Sequence, residues 1–219
     1  MNSPLQSPSS PTRDKLLEAG VELIRTRGFN GTTVDDICKA AGVTKGGFFH
    51  YFDSKDDLAN CALAAFAEAR EDLYREAPFR NLPDPLDRVF ARLDFDREVI
   101  ETSGKLKGCL AGMLAQELAV SRKEFRGACF GFFENRANDI AADLAAAKAA
   151  YSPRASFDPK SVATFYVANV QGAQILSKVS GNNQVRLEGI EHFRTYLCAL
   201  FGISKSGGSK RAPGGTRKS

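Results

Sequence analysis

Residues Thr33–Phe52, TVDDICKAAGVTKGGFFHYF, predict two short helices separated by a tight turn. Thr33 is a residue type that caps a helix start, and the glycine at position 42 is typical of a helix end. Between them the apolar residues recur at the spacing of one helix face, at Val34, Ile37, Cys38 and Ala41. Thr44 can cap a second helix over Lys45–Tyr51. The pattern is typical of a helix-turn-helix, in which the second helix reads the major groove of DNA.

The second of these helices contains two adjacent glycines, Gly46 and Gly47. Glycine is a poor helix former, so we interpret the pair as a place where the backbone approaches another surface closely. A phosphate or a base edge fits this interpretation, because Thr44 and the helix start can bind phosphate and because Lys45 and Lys55 add positive charge. The alternative is an ordinary helical hairpin in which the glycines serve packing, since this geometry also occurs without DNA.

The residues around this stretch resemble the TetR/AcrR family of transcriptional regulators over about residues 10–70. The matching residues are Gly28-Phe29, Thr32-Thr33-Val34, Ile37, Ala40-Ala41-Gly42-Val43, Thr44-Lys45-Gly46, His50-Tyr51-Phe52, Ser54-Lys55 and Leu58. The resemblance implies an N-terminal three-helix DNA-binding domain with the helix-turn-helix at residues 33–52. Residue chemistry and the resemblance together give the expected DNA-binding residues, which are Thr33, Thr44, Lys45, Gly46, Gly47, His50, Tyr51 and Lys55.

Two positions depart from the family pattern. Phe49 stands where the family usually has a phosphate-contacting tyrosine, and Gly47 stands where a small hydroxyl residue or alanine is common. The first change removes a hydroxyl donor. We therefore leave Phe49 out of the expected DNA contacts, and Tyr51 could compensate for it.

The composition is that of an ordinary globular protein, with 219 residues of which 43% are hydrophobic and 26% are charged. This length suffices for one or two domains with a buried core. The chain contains no apolar run of about 18 residues, the length that indicates a membrane helix. Its start, MNSPLQSPSSPT, is polar and rich in proline. We therefore expect no membrane association and a cytoplasmic location.

The net charge does not by itself indicate a nucleic-acid partner. The formal charge is +4, but the stretch from Ile203 onward has no acid and five cations, at Lys205, Lys210, Arg211, Arg217 and Lys218. Without that stretch the charge is about −1, so only the local placement of basic residues favours DNA binding. We expect residues 1–9 to be a disordered arm and residues 203–219 to be a disordered basic tail, which could add nonspecific affinity for phosphate.

The five cysteines include no C-x-x-C pair and the chain has two histidines, so we expect no metal site. Cys38, Cys61 and Cys198 fall in apolar helical patterns and are interpreted as core residues. Cys109 differs, because it follows two lysines at a predicted helix start, and both features favour a thiolate. The alternative for Cys109 is an inert wall residue of a pocket.

The remainder of the chain has helical periodicity without alternating strand segments, so the predicted fold class is all-α with about nine helices. Besides the two helices already described, helices are predicted over about 12–27, 54–76, 85–103, 109–120, 122–150, 158–180 and 184–201. Asp84-Pro85 and Asp158-Pro159 are strong start signals. The domains are predicted as 10–70 for DNA binding and 71–202 for effector binding and dimerisation.

The middle helices combine aromatic residues with a few polar ones, the mixture that a small-molecule site uses. The resemblance implies that an effector binds between these helices, but it does not select the walls of the pocket. The candidate pocket residues are Phe90, Cys109, Met113, Gln116, Cys129, Phe133, Arg136, Phe165 and Asn169. The alternative for each of them is a plain core residue.

The last two predicted helices carry apolar residues on more than one face, which favours one face in the domain and one against a partner. Ala168 and Gly172 have a small-residue spacing that lets helices approach. We therefore predict a homodimer through a four-helix interface. Two recognition helices about 34–36 Å apart would then meet successive major grooves of a pseudo-palindromic operator.

These observations lead to the hypothesis of a repressor that a small-molecule effector of unknown identity releases from its operator, by tilting the helix over 54–76. The family implies this direction, although it also contains activators. One alternative is a repressor that senses electrophiles or oxidants through Cys109. Another is a helical protein-binding module without operator specificity. We expect neither an enzyme nor a cofactor, because G-x-S-x-G, H-E-x-x-H and a glycine-rich phosphate loop are all missing.

Overall fold

A computed structural model of the chain describes residues 10–103 and 106–203. The predicted arm, Lys105 and the basic tail beyond Ile203 lie outside the described residues. Within the described ranges the fold is all-α without strands, which confirms the predicted fold class. The α-helices are α1 (Pro11–Arg27), α2 (Val34–Ala41), α3 (Lys45–Tyr51), α4 (Lys55–Arg75), α5 (Pro85–Thr102), α6 (Leu110–Leu118), α7 (Lys123–Tyr151), α8 (Pro159–Ser180) and α9 (Gln184–Phe201), and a short 3₁₀ helix covers Pro78–Asn81.

Two helix starts follow the capping signals of the sequence. The carboxylate of Asp84 accepts hydrogen bonds from two backbone N–H groups in the first turn of α5, at 2.8 and 3.0 Å, and Pro85 occupies the first helical position. Asp158 and Pro159 repeat this arrangement at the start of α8. Proline suits this position because its φ is already helical and its missing N–H would have had no partner. The predicted starts of α5 and α8 are therefore confirmed.

The chain divides into two compact units. The first contains the chain up to Arg75 together with Lys107–Phe132, and the second contains Glu76–Leu106 and the chain from Phe133. Helix α6 and the first part of α7 thus belong to the same unit as α1–α4, although the sequence pattern groups them with the second domain.

The first unit is built on a core of almost wholly buried side chains from α1 to α4. They include Leu16, Ile24, Phe29, Ile37, Phe48, Phe52 and Leu58. The close approach of α1 to α4 depends on Gly20, because a Cβ there would lie 2.5 Å from Cδ2 of Leu58. Burying a large apolar side chain stabilises a fold by about 1.5–3 kcal/mol, so this core holds the helix-turn-helix in position.

The second unit packs α5, the rest of α7, α8 and α9 around one hydrophobic cluster. Tyr166 lies in its centre, with its ring stacked on Phe193 at 4.4 Å between centroids and its hydroxyl donating to the carboxylate of Asp96 at 2.6 Å. Charged side chains of the 3₁₀ helix, α5 and α7 form ion pairs beside this cluster, at Arg80, Arg88, Arg92, Asp139 and Asp143. None of the described helices is both long and apolar enough to cross a membrane.

Two details differ from the predicted helices. Helical spacing from Leu58 predicts Leu73 on the apolar face of α4, but Leu73 is 38% exposed, whereas Tyr74 is buried. In the last two turns of α4 the buried residue is therefore Tyr74. The segment between α4 and α5, where Pro78 and Pro83 interrupt the helical pattern, forms the 3₁₀ helix and buries Phe79.

Candidate DNA-binding interface

Helix α2 begins at a reciprocal capping box between Thr33 and Asp36. The N–H of Asp36 donates to Oγ1 of Thr33 at 3.1 Å, and the N–H of Thr33 donates to Oδ2 of Asp36 at 2.9 Å. The Thr33 hydroxyl also donates to this carboxylate, at 2.6 Å, and the hydrogen bonds from Thr33 hold the pKa of Asp36 below its ordinary value. If Thr33 contacts DNA as predicted, that contact would therefore compete with the hydrogen bonds to Asp36 that cap α2.

The turn into α3 depends on Gly42 and Thr44. Gly42 has a φ of +66°, in the left-handed region that residues with a Cβ disfavour. Thr44 accepts a hydrogen bond from the N–H of Gly47 at 3.1 Å and so caps α3. Phe48 is wholly buried and its ring centroid lies 5.7 Å from that of Phe52, so this side chain anchors α3 to the core.

The opposite side of α3 is open to solvent. Its exposed residues are Lys45, Gly46, Phe49 and His50, and the preceding Thr44 is exposed as well. Tyr51 is half-buried, with its ring edge-on to that of His50 at 4.8 Å between centroids. The structure thus brings Thr44, Lys45, Gly46 and His50 from the predicted DNA-binding set to one exposed surface.

Lys45 forms an ion pair within the helix-turn-helix. Its Nζ lies 3.0 Å from Oδ1 of Asp35 in α2, and the two side chains are 61% and 72% exposed. Exposed pairs of this kind contribute about 0–1 kcal/mol. The ammonium group of Lys45 can therefore exchange Asp35 for a phosphate at little cost.

The two glycines of α3 have different structural roles. A Cβ at Gly47 would lie 2.8 Å from Cγ1 of Val43, so glycine at this position serves packing inside the helix-turn-helix. A Cβ at Gly46 would meet no atom of the described residues within 4 Å. The packing alternative thus accounts for Gly47 and corrects its predicted role, whereas Gly46 keeps the prediction of a close approach by an external surface.

Lys55 is not the exposed cation that its place in the first turn of α4 predicts. Its ammonium group donates to the carbonyl oxygens of Phe29 and Thr32 at 2.9 and 2.8 Å and lies 4.0 Å from the centroid of the Phe29 ring. Burial lowers the pKa of Lys55, and the nearby Asp56 opposes this shift. The loop after α1 presents carbonyls without helical partners, and the ammonium group satisfies two of them. We therefore correct the predicted phosphate contact of Lys55 to a positioning role.

A carboxylate of α6 holds the same loop from another side. Glu117 accepts hydrogen bonds from the backbone N–H groups of Phe29 and Asn30, at 2.9 and 2.7 Å. Gly28 has a φ of +88°, and a Cβ there would lie 2.5 Å from Oε1 of Glu117. Glycine is thus required at position 28 both by its backbone conformation and by the approach of the carboxylate. We call this arrangement of Glu117 over residues 28–30 the Glu117 clasp.

Further contacts connect the segment 107–132 to α1 and α4 within the first unit. Nε of Arg25 donates to the carbonyl of Gly108 at 2.7 Å, and the N–H of Gly108 donates back to the carbonyl of Arg25 at 3.1 Å. Arg122, between α6 and α7, pairs with Asp56 of α4. Helix α6 and the start of α7 are therefore part of the framework that positions α2 and α3.

Four predicted pocket residues belong to this first unit, namely Cys109, Met113, Gln116 and Cys129. Cys129 is buried, and burial together with the nearby Cys109 raises the pKa of its thiol to about 11. Cys109 is half-buried and immediately precedes α6. Met113 is half-buried, whereas Gln116 is exposed and its amide donates to a carbonyl of its own helix at 3.0 Å.

The other predicted pocket residues belong to the second unit, namely Phe90, Phe133, Arg136, Phe165 and Asn169. Phe90 and Phe133 are partly buried and pack against the hydrophobic cluster. A guanidinium nitrogen of Arg136 lies 3.5 Å from the buried carboxylate of Asp96. Asn169 is half-buried. These four residues are partly or mostly buried in the second unit. Their burial is compatible with a pocket wall and equally with a plain core.

Phe165 instead belongs to an exposed apolar face of α8. The exposed residues on this face are Phe165, Ala168, Gly172, Ile175, Leu176 and Val179, which we call the α8 stripe. Phe165 is 54% exposed and Val179 is 84% exposed. The ring of Tyr196 in α9 lies 5.7 Å from that of Phe165 between centroids. Phe165 lies on the face of α8 that is exposed to solvent. We therefore correct its assignment from a pocket wall to the α8 stripe.

Phe49 is the exposed aromatic residue of α3 that the predicted DNA contacts omit. It is 50% exposed, and its ring packs edge-on against Phe48 at 5.2 Å between centroids. The omission follows from comparing Phe49 with a phosphate-binding tyrosine. The signal that could have found it is its spacing, since it follows Gly46 by three positions and Lys45 by four, which places all three on one side of a helix.

The geometry defines a class of protein. A buried core holds a helix-turn-helix whose second helix is exposed, and a further helical unit follows it, as in transcription regulators that read the major groove. Within the described ranges no group of three or more histidine, cysteine or acidic residues could hold a metal ion.

Comparison with known families agrees with this class. Residues 16–61 match the bacterial regulatory proteins of the tetR family, and residues 85–189 match the C-terminal domain of LmrA/YxaF-like transcriptional regulators. The chain belongs to the TetR family and is a DNA-binding transcriptional regulator.

Relatives and solved structures cover most of the chain. The transcriptional regulator AcuR of Cereibacter sphaeroides is 30% identical over 171 residues, 78% of each chain. The transcriptional repressor DhaR of a Mycobacterium species is 30% identical over 176 residues, 80% of this chain and 86% of the relative. The crystal structure of a regulatory protein TetR from Rhodobacter sphaeroides superposes with a TM-score of 0.75 at 28% identity, over 88% of this chain and 100% of that one. The reduced form of Escherichia coli NemR superposes with a TM-score of 0.69 at 25% identity, over 85% and 96%.

Proposed function

We propose that this regulator is a repressor that binds a pseudo-palindromic operator as a homodimer and is released from it by a small-molecule effector. The observation that carries DNA binding is the two-sided character of α3, in which Phe48 is anchored in the core while Lys45, Gly46 and His50 face solvent. In helix-turn-helix proteins the first residues of such a helix contact base edges in the major groove. Repression is supported by the relative DhaR, which is described as a transcriptional repressor.

The α8 stripe supports the homodimer. A row of exposed apolar side chains along one helix face is unusual for a surface that remains in water. A second copy of α8 can cover it, because Ala168 and Gly172 are exposed, small and four residues apart, so that two helices can approach closely. A homodimer supplies two copies of α3, and a pseudo-palindromic operator offers them successive major grooves about 34–36 Å apart.

The effector is proposed to bind inside the second unit, beside Phe90, Phe133 and Asn169, and Arg136 is the polar contact that we favour there. Arg136 and Asp96 are both mostly buried, at 13% and 6% side-chain exposure. Charged groups inside a mostly apolar unit can bind a polar group of an effector strongly, because little water competes for them.

Effector and operator would oppose each other by favouring different states of the same framework. Helix α4 is the predicted route, and it ends at Arg75, the boundary of the first unit. The Glu117 clasp offers a second route through α6, because a shift of Glu117 would alter the loop that precedes α2. Both routes act on the position of the helix-turn-helix and not on its exposed residues.

The DNA-binding proposal is tested by selecting an operator from random DNA with the full-length protein. Lys45→Ala should then weaken binding to that operator and reduce the slope of log K against log salt by about one. Lys123→Ala, which removes an exposed lysine of α7, is the matched control and should change neither quantity. A selection that returns no palindrome would favour the protein-binding module. A Lys45→Ala variant with wild-type operator affinity and salt dependence would contradict the role of α3.

Covalent modification of Cys109 is a second candidate trigger, favoured by the surroundings of its thiol. Cys109 occupies the residue before α6 and makes no side-chain capping bond there. Burial lowers the pKa of Arg25, and the electrostatic attraction to Cys109 opposes this shift, so the guanidinium group lies near the thiol. Lys107, the neighbour that the sequence indicated, pairs with Glu22 at 2.7 Å.

The two triggers are separated by one substitution. Under the thiol hypothesis, N-ethylmaleimide should release operator DNA from the wild type and from Cys198→Ser, a control that removes a half-buried thiol of α9, but not from Cys109→Ser. Release that persists in Cys109→Ser would exclude the thiol trigger. Fluorescence anisotropy of labelled operator reports the release.

A further inference from the structure

The exposed phenylalanine of α3 points to a chemical feature of the operator. We propose that Phe49 and the space beside Gly46 form an apolar notch that takes the C5-methyl group of a thymine in the major groove. We call it the Phe49 notch. This inference rests on the proposed insertion of α3 into the major groove, and it assigns a base-reading role to a residue that the family resemblance leaves without one.

The ring of Phe49 is held in place while half of it remains in water. Phe48 is wholly buried and Phe49 is 50% exposed, and the two rings pack edge-on at 5.2 Å between centroids. Such aromatic pairs prefer this edge-on geometry, so the contact with Phe48 favours one orientation of the exposed ring. Covering an exposed apolar face with an apolar group removes it from water and so stabilises the complex.

Gly46 leaves room next to this ring. It precedes Phe49 by three positions, so the two residues are neighbours on the surface of α3. A Cβ at Gly46 would meet no atom of the described residues within 4 Å, so the fold itself does not require glycine there. The adjacent Gly47 is different, because a Cβ there would collide with the side chain of Val43. Glycine at position 46 therefore keeps a space open that a methyl-sized group of a partner can fill.

The surroundings of the notch favour a base edge over an apolar protein surface. Thr44, Lys45 and His50 are neighbours of Gly46 and Phe49 in the sequence, and all three are exposed and polar. An apolar protein partner would have to remove these groups from water without offering them hydrogen bonds. In the major groove, by contrast, the apolar group of a base pair is the thymine C5-methyl group, and it is surrounded by polar base edges and phosphates.

A phenylalanine also excludes the contact that a tyrosine makes. Phe49 has no hydroxyl group with which to donate a hydrogen bond to a phosphate. Its remaining contribution to DNA binding is apolar contact, and phenylalanine is among the residues that contact the thymine methyl group. The notch therefore distinguishes thymine from uracil and from cytosine at one position of each half-site.

The experiment uses the selected operator and the full-length protein. Each thymine is replaced in turn by deoxyuridine at both symmetric positions, which removes only the methyl group, and Kd is measured by fluorescence anisotropy. For the wild-type protein, replacing one symmetric pair of thymines should weaken operator affinity about fourfold per half-site, or about 15-fold for both. Phe49→Ala should bind the thymine operator more weakly by about the same factor and should show no further loss on the deoxyuridine operator.

Phe130→Ala is the matched control, because it removes an exposed phenylalanine of α7 that is 64% exposed and lies outside α3. It should keep the wild-type response to deoxyuridine. Specific binding in which no thymine is sensitive would overturn the notch, as would a Phe49→Ala variant that loses affinity equally on both operators. A selection that returns no operator would instead refute the proposed function, and the notch with it.

Discussion

A methyl group added at Gly46 should separate the stability of α3 from its binding to DNA. Glycine inside a helix is about 0.5–1 kcal/mol less favourable than alanine, and the Cβ at this position would lie in open space. Gly46→Ala should therefore raise the free energy of unfolding by up to that amount while it lowers operator affinity, since the methyl group occupies the space beside Phe49. Urea unfolding and fluorescence anisotropy measure the two effects.

Gly47→Ala is the control for this substitution. Its Cβ would lie 2.8 Å from Cγ1 of Val43, so the gain in helix propensity should be offset by strain and the protein should not become more stable. If Gly46→Ala stabilises the protein and leaves operator affinity unchanged, no surface approaches the backbone there.

The roles of these individual residues were only partly predictable. The glycine pair indicated a close approach, but which glycine serves packing depends on where Val43 lies across the turn, and this is a matter of three-dimensional structure. Lys55 was predicted to be exposed because it lies in the first turn of a helix. Its partners are carbonyls at Phe29 and Thr32, more than twenty residues earlier in the chain, and no local pattern indicates them.

Loss of the Glu117 clasp should loosen the loop that precedes α2. Glu117→Ala leaves the N–H groups of Phe29 and Asn30 without their acceptor, and it should lower the free energy of unfolding by about 1–3 kcal/mol. Hydrogen exchange at these two amides should become faster. Gln116→Ala, an exposed neighbour on α6, is the control and should stay within about 0.5 kcal/mol of the wild type. Unchanged exchange at both amides in Glu117→Ala would contradict the clasp.

The ion pairs between α5, α7 and the 3₁₀ helix should make the second unit sensitive to pH. Asp139 accepts hydrogen bonds at 2.6 Å from Arg80 and from Arg92, of which Arg92 is 3% exposed. Burial alone would raise the pKa of Asp139, but the two guanidinium groups outweigh it and the pKa is lowered. A carboxyl group with a lowered folded pKa adds stability above its unfolded pKa, and this contribution disappears as the pH falls through the folded value.

Because the Asp139 side chain is 35% exposed, solvent screens its ion pairs in part, and Asp139→Asn should reduce the free energy of unfolding at pH 7 by about 1–3 kcal/mol. The difference from the wild type should shrink as the pH falls below the ordinary aspartate pKa of 3.8 and through the lowered folded value, where the wild-type carboxylate becomes protonated. Asp94→Asn, which removes a pair with Arg194 on a carboxylate that is 65% exposed, should cost less than about 0.5 kcal/mol. Urea unfolding across this pH range decides the matter, and a loss independent of pH would contradict the role of the carboxylate charge.

Helix boundaries were predictable where the signal is local. The starts of α5 and α8 depend on an aspartate and a proline in adjacent positions, and α9 covers the predicted range from Gln184 to Phe201. The burial of Tyr74 in place of Leu73 was not predictable in the same way. It depends on which face of α4 the neighbouring helices cover, and a sequence stripe does not contain that information.

A charge in the α8 stripe should dissociate the proposed homodimer. A Cβ at Gly172 would meet no atom of the described residues within 4 Å, so Gly172→Glu should leave the fold of a single chain intact. The variant should sediment as a monomer and lose about 100-fold or more in operator affinity, because two linked half-site contacts become one. Val120→Glu, at a residue between α6 and α7 that is 91% exposed, should remain a dimer. A monomeric wild type, or a dimeric Gly172→Glu variant, would refute this interface.

The family and the regulator class could be predicted from the first seventy residues, because the helix-turn-helix pattern is compact and specific. The effector site could not. Its nine candidate residues fall into both units, and their pattern of aromatic and polar residues is shared by an ordinary core. Phe165 illustrates the difficulty, since an aromatic residue in an amphipathic helix can equally face a cavity, the core or a second copy of the chain.

The Glu117 clasp also sets where such a regulator can be cut and recombined to build a biosensor. A chimera joined at residue 70 would carry Phe29 and Asn30 into a foreign protein and leave behind the carboxylate that their amides require. A hybrid that transplants residues 107–132 together with the chain up to Arg75 keeps both partners. A functional chimera should therefore transfer two discontinuous segments of the chain and should not be joined at a single junction.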